Sequence, residues 1–100
     1  MLYDRRKGLS QVGRDLLAAA DYIREHGWCQ GVAVDYQGRV CIEGALAKII
    51  EYDPGRRVNA RMRLGIPSAF SPSEWNDKRG RKVNEVLDLL ENAAWSEVEK

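Results

Sequence analysis

Cys29 and Cys41, with the lone histidine His26 three residues before the first of them, are the side chains here with the widest chemical reach. A thiolate nucleophile needs a base or a positive field to lower its pKa, and His26 could supply one across a helix end. Nothing nearby orients the imidazole, and Gln30 would have to serve as oxyanion donor, so the set is incomplete for catalysis. A metal site would draw on His26, Cys29, Cys41 and Glu43. Structural zinc sites usually show two close ligand pairs, and the second pair is missing. A disulfide needs Cα atoms within about 7 Å. A hairpin turning at residues 35–38 sets Cys41 opposite Val32 or Val34 and leaves Cys29 about 10 Å further down its strand, out of reach. Cys41 shares a face with those valines and reads first as a small core residue. Asp35, Glu43, Glu74 and Asp77 are scattered, and the glycines fall at turns and element ends rather than in a phosphate loop. The sequence therefore assigns no catalytic residue, no metal and no cofactor.

The second constellation is electrostatic. Residues 1–53 carry seven basic and eight acidic side chains, residues 54–82 eight and two, and residues 83–100 one and five, so a net charge of +1 conceals blocks of −1, +6 and −4. Arg56, Arg57, Arg61, Arg63, Trp75, Lys78, Arg79 and Arg81, with Phe70 among them, mix cations and aromatic rings as binding surfaces do. Two partners suit that mixture, a protein or a nucleic acid. The near-neutral whole and the lack of a helix-turn-helix, zinc-finger or RNA-binding signature favour the protein. The plainer alternative is a solvated loop whose arginines pair with Glu85, Asp88 and Glu91.

Several elements must position these groups. Ser10 offers an N-cap for a helix to about His26, with Val12, Leu16, Leu17, Ala20 and Ile23 on one face and Gly27 as its stop. Residues 32–34 and 39–42 are short β-rich runs around a Gly-containing turn, which predicts a hairpin. Ile42, Ala45, Leu46, Ile49 and Ile50 give a second helical stripe, terminated at Asp53-Pro54-Gly55. Residues 56–80 show no firm period, and Pro67 and Pro72 interrupt them, so a short helical turn and a long loop are expected. Val83, Val86, Leu87, Leu90 and Ala94 line a last helix from about Lys82 to Val98. The fold class this predicts is α+β, three helices packed around one small hairpin in the order α-β-β-α-irregular-α. Residues 1–9 form a loose lead-in and residues 10–98 a single domain.

Gly27-Trp28-Cys29-Gln30-Gly31, then Gly38-Arg39-Val40-Cys41 running into Gly44-Ala45-Leu46, then Trp75-Asn76-Asp77 followed by Gly80-Arg81 and Glu85-Val86-Leu87, form an ordered set. It resembles a family of small proteins of actinobacteria and their bacteriophages, a domain of unknown function. The resemblance covers about residues 14 to 95. It implies a phage or actinobacterial origin and supplies no activity or site residue. The family pattern tends to have Thr where this chain has Lys82, and Thr with Glu85 would form a capping box. Without the hydroxyl, the helix start is expected to shift or to borrow Asp77 as acceptor.

One hundred residues suffice for one core, and an apolar fraction of 44% with 31% charged residues is that of a folded protein. No run approaches the roughly 18 apolar residues of a membrane span. MLYDRRKGLSQ has no apolar run to act as a signal, so a cytoplasmic location with free thiols is expected. Together these features predict a small non-enzymatic binding module, such as a phage accessory protein, with a host-encoded protein as partner. Nucleic acid is the first alternative, and a thiol enzyme or metal domain at His26, Cys29 and Cys41 the second.

Overall fold

Ser10 opens the first helix as its spacing requires. In the computed structural model, which describes residues 8–97, its side chain accepts from the Gly13 N–H at the head of α1, Gln11–His26. Gly27 closes that helix at φ 94°, where a side chain would be strained. The stripe Leu16, Leu17, Ala19, Ala20 and Ile23 is buried. It forms the spine of one apolar cluster to which every other helix except the short fourth contributes a buried hydrophobic residue. α2 spans Ile42–Ile49 and α5 Val83–Trp95. Both pack on α1, and burying apolar area there is the main favourable contribution to folding. Leu9, assigned to the lead-in from the sequence, is fully buried in the same cluster. Residues 1–7 and 98–100, including the expected helix end at Val98, lie outside the described residues.

The expected α+β class is corrected: the described residues are helical, with five helices and no strand, sheet or hairpin. The turn at residues 35–38 forms, with Asp35 Oδ1 accepting from Gln37 N and Arg39 N at 3.0 and 2.9 Å. The strands do not. Val40 makes isolated bridges to Val34 on one side and to Trp28 on the other. Cys41 is already the N-cap of α2, its Sγ accepting from Gly44 N at 3.4 Å. The second run is thus claimed by a helix after two residues, too few for a ladder. Val32 and Val34, left without a covering face, are 52% and 42% exposed.

Residues 56–80 are corrected as well. Asp53-Pro54-Gly55 begins a helix rather than ending one: Asp53 accepts from Arg56 N at 3.0 Å and Pro54 takes the first position of α3, Pro54–Met62. Proline suits that position because its missing N–H would have had no partner there. Ser71 and Glu74 form a reciprocal capping box around Pro72 at the head of α4, Pro72–Asn76. α5 starts after Lys82 with half a box. Glu85 accepts from Lys82 N at 2.8 Å, while the ammonium cannot accept in return. Asp77, the expected substitute, is engaged elsewhere.

Candidate functional site

α4 is only five residues long, yet it carries Asn76, which is fully buried and connects three separate parts of the chain. Its Oδ1 accepts from the Trp28 indole N–H at 2.8 Å and from Ile42 N at 3.2 Å. Its Nδ2 donates to Cys29 O at 3.2 Å and to Asp77 Oδ1 at 2.9 Å. Gln30 Nε2 reaches the carbonyls of Asn76 and Lys78 at 3.0 and 3.1 Å, and Gly31 N donates to Asp77 Oδ1 at 3.0 Å. The segments Gly27 to Gly31, Val40 to Ile42 and Trp75 to Asp77 are thus one structural latch. Gly44 belongs to it by close approach, since a Cβ there would lie 2.0 Å from Ala33 O.

Both cysteines are free and buried. Cys29 N donates to Val40 O at 3.0 Å, part of a parallel bridge between Trp28 and Val40 rather than of the expected hairpin. The Cys29 thiol donates to Arg39 O at 3.3 Å. Burial pushes it above its ordinary pKa, and Asp35 adds to the effect. Burial likewise pushes Cys41 up, although N–H groups at the head of α2 oppose it. His26 stacks on Tyr22 with ring centroids 4.0 Å apart. Among the described residues no three His, Cys, Asp or Glu side chains are grouped to hold a metal ion.

The eight candidate surface residues separate into two sets. Arg56 forms a two-point bridge to buried Asp15, with Nε to Oδ2 at 3.1 Å and Nη2 to Oδ1 at 2.6 Å. That carboxylate, the leading cause, holds the guanidinium pKa up. Arg61 pairs with Glu43 at 3.1 Å in a geometry too bent for a hydrogen bond. Arg63 holds both carboxylate oxygens of Glu97 at 3.0 Å. These three tie α3 and its end to α1, α2 and the segment after α5. Arg57 is half-buried and makes no ion pair with a described residue.

Trp75, Lys78 and Arg81 are brought together. With Pro67, Phe70 and Glu74 they line an open cleft of about 470 Å³. The Arg81 guanidinium lies 3.6 Å from the Trp75 ring centroid. It is fixed there by Nε donating to Trp75 O and Nη1 to Glu85 Oε2, both at 3.0 Å. Phe70 is 52% exposed and Trp75 half-buried. Lys78 and Arg79 are exposed and make no ion pair with a described residue. Phe70 had no separate role in the sequence reading. The Ser71-Pro72-Ser73-Glu74 box is the signal that would have placed a helix, and with it this wall.

No helix of the described residues is long and apolar enough to cross a membrane. No curated protein matches the chain. No solved structure matches it either. A family model covers residues 9–95, and the chain belongs to the Family of unknown function (DUF6197).

Proposed function

We propose that this chain is a non-enzymatic module that binds a protein partner through the cleft between Phe70 and Arg81. The observation that carries the reading is the convergence on one concavity of an exposed phenyl ring, a fixed Arg81–Trp75 stack and Lys78, which makes no ion pair with a described residue. Exposed aromatic and guanidinium groups side by side are the types that dominate interface energetics. Thiol chemistry draws no support, because burial pushes both thiols above their ordinary pKa and so disfavours the reactive thiolate. The resemblance to proteins of actinobacteria and their bacteriophages makes a host-encoded protein the proposed partner, and two free thiols suit a reducing cytoplasm.

The test is selection from a random peptide library on the immobilised chain, with Phe70→Ser and the double variant Lys78→Glu/Arg79→Glu as counter-targets. The expected outcome is a family of peptides that the wild type retains and both variants release. Peptides held equally by all three proteins would place binding elsewhere. An oligonucleotide retained with steep salt dependence in place of any peptide would replace the reading with nucleic acid.

A further inference from the structure

The cleft is lined by apolar side chains and by the cations Lys78 and Arg81, with Arg79 and Lys82 next to them in the chain, and the two features together restrict its occupant. Pro67, Phe70 and the edge of Trp75 supply apolar surface, and about 470 Å³ lies in the range of sites that enclose a compact group. Lys78, Arg79 and Lys82 make no ion pair with any described residue, and all three are exposed. Arg81, with its side chain 11% exposed, spends Nε and Nη1 on Trp75 O and Glu85 and adds its charge to the cleft wall. Glu74 also faces the cleft, and one of its oxygens is engaged by Ser71 N.

We infer that the cleft seats one large apolar or aromatic side chain of an extended acidic segment of the partner protein, whose flanking carboxylates meet Lys78, Arg79 and Lys82. This rests on the protein-binding reading above and adds the partner's chemistry. Charge complementarity selects the acidic segment: four cations lie within five residues, and only Arg81 among them pairs with an acidic side chain of the described residues. The positive end of the α5 dipole adds to the same field. A nucleic-acid strand fits less well. Stacking of successive bases needs a series of free ring faces, whereas one face of Trp75 is covered by Arg81 and Phe70 is the only other ring in the lining. The Glu74 carboxylate on the wall would also repel phosphates, while a peptide can meet it with an N–H.

The probe is a fluorescein-labelled peptide with a central Phe between two acidic residues on each side. Its companions replace Phe by Ala or all acids by Lys, and an oligothymidylate of similar length is included. Fluorescence anisotropy should show the acidic Phe peptide binding best, with each replacement weakening it by about tenfold or more. Phe70→Ser should cost about tenfold as well, and Lys78→Glu/Arg79→Glu should remove most of the salt dependence. These sites are exposed, and thermal melts would verify that the variants stay folded. If the library yields neutral or basic peptides that still depend on Phe70, the acidic-segment inference falls and the cleft reading stands. If bound peptides ignore every cleft variant, the reading itself falls. Failure of the acidic peptide to bind, or tighter cleft-dependent binding of the oligothymidylate, overturns the inference.

Discussion

Asn76 uses all four hydrogen-bonding positions of its amide, two donors and two acceptor lone pairs, in a site sealed from water. Removing it leaves the Trp28 indole N–H and the Ile42 backbone N–H unsatisfied. Asn76→Ala should therefore cost about 3 kcal/mol of stability, read from the denaturant midpoint at unchanged m-value. Arg56 is the second case in which one side chain answers for another. Asp15 is 3% exposed, and without the guanidinium it keeps only the Gln11 amide at 3.0 Å. Arg56→Ala should cost about 2 kcal/mol, below the range for a fully buried pair because the Arg56 side chain is 40% exposed. The same variant should leave peptide binding at the cleft unchanged, which separates the arginines that build the fold from those on the surface.

Among the described helices, α5 is the one whose N-cap side chain makes no capping hydrogen bond. A cation stands at the N-cap, where the dipole disfavours it and where no hydroxyl or carboxylate answers the first-turn N–H groups. Lys82→Thr would complete the box with Glu85 and should raise stability by about 1 kcal/mol, a shift of several degrees in Tm for a domain of this size. Glu85 already supplies the other half. The Lys82 backbone N–H, ahead of the smaller contribution of Arg81, holds its carboxyl below the ordinary value. A carboxyl depressed in the folded state contributes stability that is present above its unfolded pKa and is lost as pH falls through its folded pKa. Acid titration of stability should accordingly show a loss below the usual glutamate range, and Glu85→Gln should flatten that part of the profile.

At the scale of the molecule, the alternation of basic and acidic blocks is partly an internal matter. Arg63 binds Glu97 and Arg24 binds Glu91, so the acidic C-terminal block holds cations from both α1 and the end of α3. Of the basic block, Arg57 and, between α4 and α5, Lys78, Arg79 and Lys82 make no ion pair with a described residue. The thiols give a readout of the whole body, because both are buried. An aqueous disulfide reagent should label Cys29 and Cys41 at least about a hundredfold more slowly in the native protein than in denaturant, in step with opening of the fold. Rapid native labelling of Cys29 would instead reopen thiol chemistry.

The sequence by itself determined α1, α2 and α5, since each carries an apolar stripe of helical period, and Ser10 and Gly27 mark the ends of the first. It also carried the signals for α3 and α4 in Asp53-Pro54 and the Ser71–Glu74 box, but these helices bury almost no apolar face, so periodicity could not reveal them. Val32, Val34 and Val40 have the composition of strands, and only the tertiary structure decided against a hairpin: Trp28 and the cap of α2 compete for the same short run. Which arginines face inward was likewise a tertiary matter. A guanidinium goes where a carboxylate from a distant segment stands, and the separations of 41 residues from Asp15 to Arg56 and 34 from Arg63 to Glu97 leave no local pattern to read.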